Sequence, residues 1–153
     1  MNIFYLHDNP RTASIYHCDK HIVKMPLETA QMLCTSHWLS GNEAPYKLTH
    51  KNHPCNLWLM ESLGNYDWLT KLGKELCKEY TFRYGKIHGC ERIIDWAIAN
   101  KPKLPNRQMT QPALAMPDDC KVGDAINSYR MYYAIHKQHL HQWSKRSRPD
   151  WVN

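Results

Sequence analysis

The segment from His17 to Thr35 constrains the fold of this chain more than any other. At about 100° per residue, His17, His21, Lys24, Glu28, Gln31 and Thr35 fall within roughly 40° of one line. Ile22, Met25, Ala30, Met32 and Leu33 fall elsewhere. The segment therefore reads as a helix carrying two imidazoles, an ammonium and a carboxylate on one stripe. Such a stripe is suited to chemistry, with Glu28 as general acid/base or stabiliser of a developing cation and His21 positioning it. A merely solvated face is the plain alternative.

The rest of the chain repeats the helical period. Pro10 or Thr12 opens a helix running to Val23, Pro26 kinks or restarts it, and a second segment continues to Leu39. Pro54 suits the first turn of the next helix, whose period continues through Trp58, Leu69, Leu72 and Tyr80 to a stop at Gly85. A short helix follows at 89–99. Residues 100–118, with Pro102, Pro105, Pro112 and Pro117, form a long irregular loop, a type that is often functional. The last helix is predicted over 122–143. No alternating strand pattern appears. The expected fold is all-α: a single-domain helical bundle over 1–153, with long irregular loops and an apolar N-terminal arm containing Ile3, Phe4 and Leu6.

The chain has 153 residues and a formal charge of +6, with ten His, six Trp and nine Tyr but only two Phe. Cations for phosphates and π-faces for bases are what nucleic-acid binding requires, although Trp and Tyr must also fill much of the core. No run approaches the roughly 20 apolar residues of a membrane span, and the N-terminus lacks the pattern of a signal peptide. The expectation is a cytoplasmic protein without a membrane partner. The six cysteines are scattered with no CxxC pair and read as buried thiols.

Two further clusters are rich in donors. Thr49-His50-Lys51-Asn52-His53-Pro54-Cys55 lies where a loop enters a helix, and with Lys47 it reads as a phosphate-binding segment. No spacing there matches a common zinc signature, so neither metal nor cofactor is assigned, although His50, His53 and Cys55 could join His17 or His21 around an ion. Arg83, Lys86 and His88 sit near a helix end, where they either complement the helix dipole or contact phosphates. The closing segment, with Trp143, Arg146, Arg148 and Trp151, either follows a nucleic-acid backbone or staples itself to the core.

Asp19-Lys20-His21, followed seven residues later by Glu28, resembles the pyrimidine-dimer DNA glycosylase/AP-lyase family of the T4 endonuclease V type. Arg148-Pro149-Asp150-Trp151 resembles that family's closing segment, and the chain as a whole resembles phage-encoded proteins. The resemblance covers the two ends and not the middle. It implies an all-α fold and an N-terminal α-amine that attacks C1′ of deoxyribose, displaces the base and forms a Schiff base that permits strand cleavage. Glu28 would stabilise the cationic intermediate. An α-amine titrates near 8, against about 10.4 for lysine, so far more of it is nucleophilic at neutral pH. The amine would be that of Met1, or of Asn2 if Met1 is removed. Leu27 and Gln31 stand where the family carries arginines that assist substrate binding.

The sequence thus predicts an enzyme acting on DNA, gripping its phosphate backbone and an extruded base. Met1, Asn2, His21 and Glu28 would be catalytic. His17, Lys24, Lys47, His50, Lys51, His53, Arg83 and Lys86 would bind substrate. One alternative is a nucleotide- or nucleic-acid-modifying enzyme built on the His/Glu cluster, with or without a metal. Another is a basic nucleic-acid-binding protein without catalysis.

Overall fold

Capping chemistry sets most of the helix starts. Asn9 accepts from the Thr12 amide and Pro10 occupies the first turn, opening α1 (Pro10–Tyr16). Ser62 accepts from the Asn65 amide to open α4 (Leu63–Tyr84), and Asp124 caps α6 (Ala125–His136) in the same way. Gly85, in the left-handed region at φ 70°, closes α4 where the sequence places its stop. The remaining helices are α2 (Asp19–Leu39), α3 (Pro54–Leu59) and α5 (Glu91–Ala99). This computed structural model describes residues 1–152, and among them no strand occurs.

α2 and α4 form the central pair; α1 packs on α4, and α5 bridges both. Two glycines of α4 permit this closeness. A Cβ on Gly73 would lie 2.9 Å from Thr29 Cγ2 of α2, and one on Gly64 would lie 2.4 Å from the Met109 backbone nitrogen. Apart from Cys120 and Val152, the buried apolar side chains form one contiguous cluster, with Trp58, Tyr66, Tyr129 and Tyr133 among the largest fully buried ones. All six cysteines are buried free thiols.

Three boundaries differ from the sequence expectation. The first helix breaks at His17 and Cys18, not at Pro26, which lies inside α2. The segment after Pro54 is two helices, separated at Met60–Ser62. α6 stops at His136; a 3-10 turn at Gln138–Leu140 follows, and the remaining chain folds back over the α1–α2 junction. There Trp143 Nε1 donates to the Tyr16 carbonyl, and the Trp151 ring meets those of Tyr16 and Tyr133. Both tryptophans therefore fasten the tail to the body of the protein.

Candidate active site at the N-terminus

The N-terminal arm runs through the core. Ile3, Phe4, Tyr5 and Leu6 are all buried. Asn2 brackets the arm: its Oδ1 accepts from the amides of Ile3 (2.7 Å) and Phe4 (3.1 Å), and its Nδ2 donates to the Ala115 carbonyl at 2.9 Å. Phe4 adopts φ 38°, a left-handed conformation that a non-glycine residue adopts at a cost of about 1–2 kcal/mol. Its ring stacks on His21, with centroids 4.4 Å apart, and also on Tyr132. Further along, the Leu6 carbonyl accepts from Arg130 and the Asp8 carbonyl from Trp68.

These anchors hold the α-amine of Met1 3.2 Å from Glu28 Oε1. The Met1 side chain is only 1% exposed, yet the residue is partly exposed, so its accessible atoms are main-chain atoms. The side chain turns inward and leaves the amine presented. Lys24, one turn before Glu28 on α2, brings its Nζ 3.5 Å from Glu28 Oε2. A cleft of about 110 Å³ opens here, lined by Met1, Asn2, Phe4, His21, Lys24, Met25, Glu28, Tyr132 and Lys137. A larger groove of about 370 Å³, lined by Asp67, Lys71, Lys74 and Lys101, lies elsewhere. Lys74 and Lys101 there are paired with acidic neighbours, so the larger volume carries less unspent chemistry.

Of the residues singled out from sequence as catalytic, Met1, Asn2, His21 and Glu28 all line this cleft. His21, however, does not orient Glu28. Its Nδ1 meets the Tyr133 hydroxyl at 2.5 Å. Burial, reinforced by His17 and Lys137, drives its basicity down to about 2. It is a neutral ring at physiological pH, serving as a stacking platform and a link to α6.

The substrate-binding assignments divide. Lys24, Lys47, Lys51 and Lys86 are exposed and able to meet phosphates. His53 caps α3, its Nδ1 accepting from the Cys55 amide at 3.1 Å. Its basicity is lowered by burial, then by the Met1 ammonium and His50, and raised by Glu28, so it senses the site without a direct bond to it. His50 hydrogen-bonds with the Thr49 hydroxyl, and its carbonyl accepts from Asn56. The first amide of α3 is thus taken up by its own cap.

His17 and Arg83 are corrections. His17 is fully buried, its Nδ1 bonded to the Ala13 carbonyl, and burial lowers its basicity to about 4. Arg83 is 4% exposed and donates to Glu79, Asp19 and the carbonyls of His17 and Ile15. Glu79 also takes a bidentate pair from Arg146. Asp19 accepts from the backbone and hydroxyl of Ser144. This chain of charges ties α1, α2, α4 and the tail together; Arg83 is sealed inside it and cannot reach a phosphate, whereas Arg146 is held on Glu79 with its side chain 25% exposed. The Glu79–Arg83 spacing of four residues is the one sign of it in the sequence.

Phe4, Met25, Tyr132 and Lys137 join the cleft without having been singled out for it. Lys137 is the most telling: its Nζ lies 5.0 Å from the Tyr132 centroid and 5.9 Å from that of Phe4. The histidine cluster does not form a metal centre; among the described residues, three donors come within reach of one ion at Asp119, Cys120 and His136 instead. No protein-family model, curated protein or solved structure matches the chain, and the meaning of the site rests on its own chemistry.

Proposed function

We propose that this chain is an amine-dependent DNA lyase that acts on the sugar of an abasic or damaged nucleotide, with Met1 as nucleophile and Glu28 as its carboxylate partner. The observation that carries this reading is the 3.2 Å approach of the Met1 amine to Glu28 inside a cleft. The uncharged amine adds to the C1′ aldehyde carbon of an opened abasic sugar. Loss of water then leaves an iminium ion. Glu28 lies where that cation forms, and a carboxylate fixed beside it stabilises the charge in place. The same carboxylate is positioned to accept the C2′ proton that must leave before the 3′ phosphate is eliminated.

The size of the cleft favours the lyase half of the chemistry. Sites for whole small molecules usually enclose about 300–1,000 Å³, and about 110 Å³ holds a sugar-sized group and not a sugar with its base. Release of a base from intact DNA therefore requires the base to lie outside the cleft. The exposed Lys24, Lys47 and Lys51 supply cations for the flanking phosphates.

The test is borohydride trapping on DNA carrying an abasic site, followed by peptide mass mapping. The expected result is one covalent adduct on the Met1 amine, lost when the N-terminus is extended by one residue. An adduct on Lys24 or Lys137, which line the same cleft, would overturn the assignment of the nucleophile. Failure to trap any adduct would overturn the function.

A further inference from the structure

Asp119 and Cys120 end the 3-10 turn Asp118–Cys120, and His136 is the last residue of α6. A single oxygen, Asp119 Oδ1, lies 3.5 Å from Cys120 Sγ and 3.3 Å from His136 Nε2. One ligand atom from each of the three residues lies within 4.8 Å of the other two. Tetrahedral zinc, bonded to sulfur at about 2.3 Å and to nitrogen and oxygen at about 2.0 Å, separates sulfur from oxygen by about 3.5 Å and nitrogen from oxygen by about 3.3 Å. Two edges of that tetrahedron are already in place. The third, from sulfur to nitrogen, is no longer than 4.8 Å, and the imidazole that must move to close it is exposed.

We propose that Asp119, Cys120 and His136 form a binding site for a zinc-type divalent cation, with a fourth position open to solvent. The donor set decides the class of ion. A thiolate with an imidazole suits zinc and its soft or borderline neighbours; magnesium and calcium prefer oxygen alone. Asp119 and His136 are exposed while Cys120 is buried, so an ion enters from solvent and meets the sulfur last. In the metal-free protein the Cys120 thiol donates to Asp119, and burial together with that carboxylate keeps the thiol protonated. Binding replaces this proton with the cation and releases it to solvent. His136 Nε2, which donates to Asp119 in the metal-free protein, must also give up its hydrogen, which moves to Nδ1 of a neutral ring or, from a charged ring that already carries one there, to solvent. The sequence gives no zinc signature because two donors are adjacent and the third lies a loop and a helix away. The bound ion would clip the 117–121 loop to the end of α6. The residue after His136 is Lys137, which lines the Met1–Glu28 cleft.

Titration of the full chain with Co²⁺ tests the site. The expected result is one equivalent bound, with a thiolate-to-cobalt charge-transfer band and the strong visible absorption of a tetrahedral ion, both abolished by added Zn²⁺. Cys120→Ser should remove the charge-transfer band. Asp119→Asn and His136→Gln, at exposed positions where folding is not at stake, should each weaken binding by about tenfold or more. Absence of the band would overturn the site, as would a band unchanged in both surface variants, which would assign the thiolate to another cysteine.

Discussion

Acidification from pH 8 to pH 5 should destabilise this fold through two histidines. His17 and His21 are both buried, and burial lowers their basicity from the ordinary 6.5 to about 4 and about 2. In the unfolded chain both take up a proton as the pH falls through 6.5; in the folded protein neither does until far lower. The unfolded state therefore binds more protons across this window, and folding stability rises with pH up to about 6.5 and falls below it. At pH 5 the unfolded rings are about 1.5 units below their midpoint, and at about 1.36 kcal/mol per unit each histidine removes about 2 kcal/mol. Together they remove about 4 kcal/mol, a large share of the 5–15 kcal/mol typical of a domain. For a chain of this size that lowers Tm by roughly 10 °C. Burial alone would raise the Glu79 carboxyl, but hydrogen bonds from Arg146 and Arg83 outweigh it and bring the group below its usual range, so its own loss falls at lower pH. Urea unfolding followed by tryptophan fluorescence at pH 8, 6.5 and 5 measures the slope, which His17→Gln and His21→Gln should each reduce, while His37 and His53, whose basicity burial also lowers, keep a remainder of it. Equal stability at pH 8 and pH 5 would show that neither ring is held neutral and would refute the reasoning.

Glu28→Gln keeps the shape of the cleft and removes its charge. It should abolish turnover on abasic DNA while leaving DNA affinity, read by fluorescence anisotropy, largely intact. Asn2→Ala strips the bracket from the Ile3 and Phe4 amides and the Ala115 carbonyl, and should cost about 1–3 kcal/mol in urea unfolding; borohydride trapping should fall with it. Arg83→Met leaves Asp19 and Glu79 short of a buried partner and should cost about 3–5 kcal/mol by the same assay. Lys51→Gln should instead leave stability unchanged and lower the log–log salt slope of duplex binding by about 0.9 if it contacts one phosphate. Gly64→Ala improves helix propensity yet should lower Tm, because its Cβ would meet the Met109 backbone at 2.4 Å.

The α2 stripe was legible because Lys24 and Glu28 needed only helical spacing to meet, and they do so one turn apart. The break before α2 was not. The period runs through it without interruption, and the signal that ends it comes from the far end of the chain, where the Gln142 carbonyl accepts the Asp19 amide and Tyr133 takes that of Cys18. α6 stops at His136 with neither glycine nor proline to mark the place. Arg83 and Arg146 looked like surface cations because sequence displays charge and not the partner that neutralises it. Lys137 escaped notice because it enters the cleft only when α6 crosses the arm. The apolar arm could be read as pinned from Ile3, Phe4 and Leu6, but its passage through the core is a property of the finished packing.

The bracket on the arm also dictates when the site comes into being. Asn2 and Leu6 are made before their partners, Ala115 and Arg130, which lie 113 and 124 residues further along. Contacts of such separation form late in folding. Until those partners are made, residues 2–6 are therefore a loose, apolar segment, open to chaperones that hold exposed apolar segments. Once α6 closes over Phe4, the Met1 side chain is sealed away and the amine is committed to its carboxylate. The timing of α6 docking therefore sets when the Met1–Glu28 pair is made.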